Sequence, residues 1–465
     1  MIGPMENINT LIAGIPAQRL ADFTAREARR FAAARPNAAK VQLTDYLGGV
    51  PLHWMTDWPM PHLPIIAQAK GATITDIDGY QIDDFCLGDT GSMFGHSPPP
   101  VAKAIRRQAR RGLTYMLPSI EALEVGQLLT ATFGAFQWQI ATTATDANRF
   151  AIRVARAVKG RRKILVFNGC YHGTVDDVMV ELGANGQTQN RVGLLGQVAD
   201  LTLGAVACEF NDLAGVEAAL ASGDVAAILT EPVMTNCCMV LPQSGFHTGL
   251  RDLATKYGAL LIIDETHTIS TGLGGYTRAH GLAPDIFVAG KCIAGGLPTA
   301  VWGLNADTAA RYHAANAARS AGHSGMGTTL SANPLQFAAL RASLAEVMTK
   351  SAYAHMDKLA NTLATGLSEV IAKHRAPWHV VRVGARVEFI CARGPLQNGR
   401  EAIAAHCPQA EAAVHIALLN RGSLIAPFHN MMLISPATEK RQVKRLIAAF
   451  AEVMAELFAP KSPAL

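Results

Sequence analysis

A chain of 465 residues is long for a single hydrophobic core and suggests two or three domains. The hydrophobic fraction of 49% and the charged fraction of 17% are typical of a folded globular protein and exclude a disordered one. The formal net charge of +5 is small for this length and gives no indication of nucleic-acid binding. The eight cysteines form no CxxC pattern, which favours free thiols in a reducing compartment.

The amino terminus gives no indication of export or membrane insertion. Residues 1–19 lack the basic start and the long apolar core of a secretory signal. Glycine and proline interrupt the longest apolar runs, so no segment is suited to crossing a bilayer. We therefore expect a cytoplasmic protein that binds neither membranes nor nucleic acid.

The first hundred residues predict helix, then irregular chain, then a hairpin. Helical spacing rich in alanine and arginine covers the first forty residues, and an irregular stretch rich in proline and tryptophan follows at Val50–Pro64. Two short strands around an Asp-Gly turn are predicted between Ala72 and Phe85. A helix with two arginine pairs is expected after Pro98, and we interpret its charges as a solvated face.

From about residue 100 onward, short apolar runs alternate with amphipathic helical stretches. The helical stretches include Ala147–Val158 and Phe246–Tyr257. The apolar runs have the composition of buried parallel strands; they are Lys163–Phe167, Ala226–Thr230, Leu260–Asp264 and Ile286–Ala289. This alternation predicts an α/β fold with a central, mainly parallel sheet.

Beyond about residue 340 the pattern changes to longer helices. A few strands are predicted near Val380–Cys391, and a closing helix at Glu439–Leu457. The sequence thus predicts a large α/β domain and a smaller α+β domain. We place the boundaries at 1–75 for an amino-terminal segment that joins the small domain, 76–339 for the large domain and 340–465 for the small one.

Two predicted strands are followed by residues suited to chemistry. Lys291 comes shortly after one strand in a glycine-bordered turn, and Asp264 ends another. The open ends of parallel strands are where α/β proteins place their ligands. An unprotonated lysine amine can form an imine with a carbonyl group, and a carboxylate can keep a ring nitrogen protonated. Each residue alone could also be a surface lysine or a helix-capping aspartate.

Three further segments begin or end predicted elements. Thr142–Asn148 opens an amphipathic helix, and Thr143 and Asp146 have the spacing of a capping box. The free amides and partial positive charge of a helix start suit a phosphate group. Tyr171, after a strand, could cover a planar ring, and Glu231 ends the next strand. Each has an ordinary structural explanation as well: a helix cap, a core tyrosine and a strand cap.

In this order, these segments resemble the class III aminotransferases, which are fold-type I enzymes that use pyridoxal 5′-phosphate (PLP). The resemblance covers roughly residues 45–440 and is closest to the branch of glutamate-semialdehyde aminomutase and the β-amino-acid aminotransferases. The motifs that carry it are Asp76-Ile77-Asp78-Gly79, Asp84-Phe85, Gly95-His96-Ser97-Pro98, Tyr171-His172-Gly173, Glu231-Pro232, Asp264-Glu265, Lys291 with Gly295-Gly296-Leu297-Pro298, and Thr329-Leu330-Ser331-Ala332-Asn333-Pro334.

The resemblance implies PLP as the cofactor, without a metal, and a role for each matching residue. Lys291 would carry the cofactor as a Schiff base and move protons, and Asp264 would face its pyridine nitrogen. The other contacts would be the amides of Ala144 and Thr145 at the phosphate, Tyr171 and Thr266 on the two faces of the ring, and Thr329 at the phosphate of the neighbouring subunit. The last contact implies a homodimer with shared active sites.

The sequence departs from the family pattern at the phosphate loop and at the substrate-binding arginines. Ala144 stands where the family has glycine, and Thr266 stands where it has an aliphatic residue. The arginine usual after Asp264-Glu265 is missing from Thr268–Gly275, and Leu52 occupies the place of the amino-terminal arginine. We expect Leu52, His53 and Trp54 to line an apolar substrate entrance. Arg386 could bind a carboxylate instead, although a surface pair with Glu388 is its ordinary explanation.

We therefore expect a PLP-dependent aminotransferase that moves an amino group from an amine or non-α amino acid to a keto acid. A PLP-dependent aminomutase or racemase on the same scaffold remains an alternative, as does a PLP-binding protein without turnover. The sequence lacks GxGxxG spacing, which argues against a dinucleotide enzyme. It also lacks GxSxG and HExxH, which argues against a hydrolase.

Overall fold

The computed structural model of the chain describes residues 11–427 and 429–459. Its strands, in chain order, are β1 (Leu11–Ile12), β2 (Ile15–Pro16), β3 (Ile66–Lys70), β4 (Thr73–Asp76), β5 (Gln81–Asp84), β6 (Gln137–Ala141), β7 (Lys163–Phe167), β8 (Val180–Leu182), β9 (Thr188–Asn190), β10 (Ala205–Cys208), β11 (Val225–Thr230), β12 (Leu260–Asp264), β13 (Ile286–Ala289), β14 (Ala300–Leu304), β15 (His379–Val383), β16 (Arg386–Ile390), β17 (Ser423–Leu424) and β18 (Met431–Leu433).

The α-helices form the layers around these strands. In chain order they are α1 (Ala17–Ala34), α2 (Pro99–Gln108), α3 (Ala122–Phe133), α4 (Ala144–Lys159), α5 (Leu213–Leu220), α6 (Phe246–Tyr257), α7 (Gly275–Ala279), α8 (Ala306–Ala318), α9 (Pro334–Ala342), α10 (Lys350–Lys373), α11 (Gly399–Ala405), α12 (Pro408–Asn420) and α13 (Lys440–Leu457). Within the described ranges, none of these helices is both long and apolar enough to cross a membrane.

The chain forms two compact units. The larger one consists of Thr90–Tyr353 with Leu396–Ala404. The second contains the described residues of Met1–Asp89, Ala354–Pro395 and Ala405–Leu465. The chain therefore passes from one unit to the other after Asp89 and again after Tyr353. A short segment near residue 400 returns to the larger unit. The domain boundaries expected from the sequence, 75/76 and 339/340, stay predictions.

A seven-stranded sheet organises the larger unit. Its strand order is β10-β7-β11-β12-β13-β14-β6, and β14 runs antiparallel to both of its neighbours while the other pairings are parallel. Every residue of β11, β12, β13 and β14 is buried. Strands covered on both faces need unbroken apolar runs, which is the pattern in the sequence. The predicted α/β fold with a mainly parallel sheet is confirmed.

Helix α4 packs on this sheet and sets one wall of the site described below. It begins after Thr143, whose side-chain oxygen accepts a hydrogen bond from the Asp146 amide at 3.1 Å. It ends at Gly160, which has the left-handed backbone (φ +62°) that favours glycine. Its buried face contains Phe150, Ala151, Val154 and Ala155, and it contacts β11, β13 and β14.

The second unit contains two further sheets. One is antiparallel, with the order β15-β16-β18, and the other has the order β17-β5-β4-β3. The predicted Asp-Gly hairpin corresponds to β4 and β5, which pair in antiparallel register around Gly79 (φ +88°). Helix α1 packs against α12. Strands and helices in this arrangement match the α+β character expected for the smaller domain.

Candidate active site

Lys291 and Asp264 lie at the ends of adjacent parallel strands. β12 and β13 pair with Asp264 opposite Val288, and Lys291 follows β13 at the start of a 3₁₀ turn. The Lys291 backbone has φ +51°, a left-handed conformation uncommon for a residue with a side chain. Such strained positions concentrate at functional sites.

The Asp264 carboxylate is buried and has three hydrogen-bond donors. Oδ2 accepts from His172 Nδ1 at 3.0 Å and from Asn148 Nδ2 at 2.8 Å, and Oδ1 accepts from the Thr266 amide at 3.0 Å. Burial by itself would raise the pKa of Asp264, but the bond and charge of His172, with the other donors, hold it below its ordinary value. Asp264 is therefore an ionised carboxylate inside the protein.

His172 carries the balancing positive charge. Burial by itself lowers the pKa of this imidazole, but the neighbouring Cys170 and the Asp264 carboxylate raise it to about 10. Asn148, one turn into α4, also donates to the His172 carbonyl at 3.1 Å and so joins the helix to this pair. The sequence alone predicted no role for His172 or Asn148. The signal that could have found Asn148 is a single amide on the otherwise apolar face of α4.

The start of α4 lies beside the lysine turn. A Cβ atom added at Gly290 would come within 2.9 Å of the Ala144 Cβ, and one added at Gly173 within 2.2 Å of Thr145 Oγ1. Two glycines thus allow the backbone next to Lys291 and next to His172 to approach the first turn of the helix closely. First-turn amides have no acceptor within their helix, so Ala144 and Thr145 present an anion-binding end here.

His267, in the turn after β12, contacts the Lys291 side chain. Its Nε2 lies 2.9 Å from Lys291 Nζ, and its Nδ1 lies 2.9 Å from Thr90 Oγ1. His267 and Thr90 are both buried, and Lys291 is half-buried. Neither contact was predicted from the sequence, because each joins residues that are far apart along the chain, 24 and 177 positions respectively.

Comparison with known proteins assigns the chain to a family. The family model of the class-III aminotransferases matches residues 56–454. The chain belongs to the class III aminotransferase family. A glutamate-1-semialdehyde-aminomutase from Pseudomonas aeruginosa PAO1 has a TM-score of 0.93 and 48% identity, covering 96% of this chain and 100% of that chain.

More distant relatives include both isomerases and transaminases. Glutamate-1-semialdehyde 2,1-aminomutase from Anaeromyxobacter dehalogenans is 32% identical over 396 residues, which are 84% of this chain and 90% of that protein. An omega-transaminase from Sphaerobacter thermophilus has a TM-score of 0.82 and 27% identity, covering 94% of this chain and 97% of that chain.

PLP is the cofactor of this class III enzyme, as the sequence predicted. A lysine-to-alanine variant of the Pseudomonas aeruginosa protein has been solved in complex with PMP. The residues of the present chain fit this group: a buried ionised carboxylate at Asp264, a helix start at Ala144, and Lys291 on the adjacent strand end. Thr266 adds a buried hydroxyl that has no hydrogen-bond partner in the described part of the chain.

The two glutamates of the family motifs, Glu265 and Glu231, accept hydrogen bonds from residues of the turns that follow their strands. Glu265 accepts hydrogen bonds from Thr268 Oγ1 at 2.6 Å and from the amides of Tyr276 and Thr277, so it caps the start of α7. Glu231 accepts from Thr235 Oγ1 and from the Asn236 side chain. Burial raises the pKa of both glutamates. They hold the strand-end turns in place around the cofactor site.

The other predicted residues do not all lie in this cluster. Tyr171 is half-buried next to His172, and Thr329 is exposed on the segment between α8 and α9. Leu52, His53 and Trp54 belong to the second unit, where they are exposed. Their roles stay predictions.

Arg386 also lies in the second unit, on β16. Its side chain and that of Glu388 are fully buried. The ordinary explanation of a surface ion pair between them is therefore wrong. Glu388 also lies 3.7 Å from His429, and the charges of both His429 and Arg386 act on its buried carboxyl group. The proposed use of Arg386 for a carboxylate stays untested.

Proposed function

We propose that this protein is a PLP-dependent aminomutase that moves an amino group between neighbouring carbons of one substrate. The observation that supports it most is the 48% identity, over nearly the whole chain, to a glutamate-1-semialdehyde-aminomutase. Membership of a PLP-dependent family is established, but the expected aminotransferase reaction is not confirmed. The relatives favour the isomerase that the sequence analysis kept as an alternative.

The cluster in the larger unit supplies the groups that PLP chemistry needs. When bound, PLP withdraws electrons from the substrate carbon that carries the amine. The ionised Asp264, fixed by His172 and Asn148, would keep the pyridine nitrogen protonated. Lys291 would hold the cofactor and transfer the proton at the substrate carbon. The start of α4 would hold the phosphate end.

The proposed substrate is a small amino aldehyde whose amino group moves from C2 to C1. This chemistry follows from the name of the relatives, glutamate-1-semialdehyde 2,1-aminomutase. Leu52 at the place of the family's carboxylate-binding arginine favours recognition through an apolar body. A substrate with a terminal carboxylate would need another cation, for which Arg386 is our candidate.

The test is product analysis with the purified holoenzyme. The cofactor is first converted to its amine form, and the enzyme then receives glutamate-1-semialdehyde or an apolar 2-amino aldehyde, with Lys291→Ala as the inactive control. We expect the isomeric amino ketone to accumulate without stoichiometric keto acid. Consumption of an amine donor matched one-to-one by keto product, without any isomer, would contradict the proposal.

A transaminase is the second candidate, supported by the 27% identity to the omega-transaminase and by the exposed apolar Leu52. It requires two substrates in sequence, an amino donor and a keto acceptor. The same assay with a keto acid added separates it from the aminomutase, because only the transaminase then converts donor and acceptor in equal amounts.

A further inference from the structure

The buried imidazole of His267 lies between the side chains of Lys291 and Thr90, and each ring nitrogen contacts one of them. Its Nε2 is 2.9 Å from Lys291 Nζ and its Nδ1 is 2.9 Å from Thr90 Oγ1. All three residues belong to the larger unit. The backbones of Thr90 (φ +79°) and Lys291 (φ +51°) are both left-handed. Two strained residues therefore place their side chains on the two nitrogens of one ring.

The chemistry of these groups determines where the hydrogens lie. A lysine ammonium can only donate, so Nε2 must accept from it and Nδ1 must carry the ring hydrogen. That hydrogen is donated to Thr90 Oγ1. If the proton between Lys291 and His267 moves onto Nε2, the ring becomes an imidazolium that donates from both nitrogens. The same two contacts serve both states, which differ only in the position of one proton.

We propose that His267 accepts the proton of the Lys291 ammonium, and that Thr90 positions the imidazole for this transfer. In the step, the bond from Nζ to hydrogen breaks, a bond from Nε2 to hydrogen forms, and the positive charge moves from the ammonium to the ring. The lysine is left with the free electron pair that attack on a carbonyl carbon requires. The inference rests on the PLP chemistry of the family and holds for an aminomutase and for a transaminase alike.

The experiment measures attachment of the cofactor to the full chain after PLP has been removed. PLP is added, non-covalent binding is followed by fluorescence, and the bond to Lys291 is trapped with borohydride and quantified by mass spectrometry. His267→Gln keeps a hydrogen-bonding side chain but cannot accept the proton. We expect it to bind PLP with unchanged affinity and to attach it about a hundredfold more slowly.

Thr90 provides the second, matched pair of variants. Thr90→Val keeps the shape and removes the hydroxyl, so attachment should slow about tenfold. Thr90→Ser restores the hydroxyl and should restore the rate. The proposal is overturned if His267→Gln or Thr90→Val attaches PLP at the wild-type rate, or if binding and attachment weaken equally in both. If His267→Gln fails to fold, the attachment rates of Thr90→Val and Thr90→Ser test the proposal by themselves. Absence of isomerisation by the wild-type enzyme would contradict only the proposed function, because attachment of PLP to Lys291 precedes the reaction.

Discussion

At the scale of single residues, the buried pair of Asp264 and His172 gives the first prediction. Replacing one member of such a pair leaves an uncompensated charge in the interior. We expect His172→Gln to lower the free energy of unfolding by about 3–5 kcal/mol at neutral pH. The measurement is denaturant unfolding, with the exposed His313→Gln as the control that should change stability little.

The same pair predicts how this effect depends on pH. The pKa of His172 rises from an ordinary 6.5 to about 10 on folding, so its contribution is complete below 6.5 and is lost as the pH rises through about 10. The pKa of Asp264 is lowered on folding, so its contribution is present above the ordinary 3.8 and is lost in acid. The stability difference between wild type and His172→Gln should therefore shrink between pH 6.5 and 10. A constant difference over this range would contradict the ion pair.

Lys291 gives a second prediction at this scale. Purified holoenzyme should take the mass of reduced cofactor at the peptide that contains Lys291 after borohydride treatment. Lys291→Ala should retain PLP without a covalent bond and show no turnover, whereas Lys358→Ala, which removes an exposed lysine, should behave as wild type. Labelling at any lysine other than Lys291 would refute the assignment.

The residues of the site differ in how well they can be predicted from the sequence. Lys291 and Asp264 follow apolar strands, and the chemistry at the ends of parallel strands makes them visible. His172 and Asn148 act through contacts with Asp264 that span 92 and 116 positions. Such pairs depend on which strand lies beside which, and hydrophobic periodicity does not encode that order. His267 was hidden for the same reason.

At the scale of elements, the apolar runs were sufficient to predict most of the central sheet. The predicted strands Lys163–Phe167, Leu260–Asp264 and Ile286–Ala289 have the same bounds in the structure. Strands β6, β10 and β14 were missed. The alternating glutamines of β6 leave it partly exposed at the sheet edge, so it lacks an unbroken apolar run. Helix α4 begins three residues earlier than its apolar periodicity indicated, since the cap at Thr143 determines its start.

The close approach between the lysine turn and the start of α4 can be tested with one methyl group. Gly290→Ala would place a Cβ 2.9 Å from that of Ala144 and displace the first turn of the helix. We expect a loss of about 1–3 kcal/mol in PLP affinity from this overpacking. Affinity is measured by titrating PLP into protein from which the cofactor has been removed.

Two variants control this experiment. Gly160→Ala changes the other end of α4, where an added Cβ meets nothing within 4 Å, so it should lower stability through its left-handed backbone and leave PLP affinity unchanged. Ala144→Gly in the Gly290→Ala background removes the opposing methyl group and should restore part of the affinity. Equal losses of PLP affinity in Gly290→Ala and Gly160→Ala would show that the contact is unimportant.

At the scale of the whole molecule, we predict a homodimer in which Thr329 reaches the partner's phosphate site. An exposed apolar stretch of the larger unit supports this prediction, because large apolar patches mark interaction surfaces. It contains Leu113, Met116, Leu117, Ile120 and Leu123, which are 48–83% exposed in the single chain. Ile120→Glu should shift sedimentation toward the monomer. Thr329→Val should leave the dimer intact and weaken PLP retention about tenfold. An active monomer would contradict both expectations.

The pairing of β5 with β17 has a consequence for biosynthesis. β5 ends at Asp84, but the strand that lies parallel to it begins at Ser423, more than three hundred residues further along the chain. A ribosome releases the chain from its amino terminus, so β5 lacks this neighbour until all the residues between Asp84 and Ser423 have emerged. The larger unit can form its own sheet first, since Thr90–Tyr353 contains all seven of those strands. The edge of β5 is therefore a place where a nascent chain can associate wrongly and where a chaperone can bind.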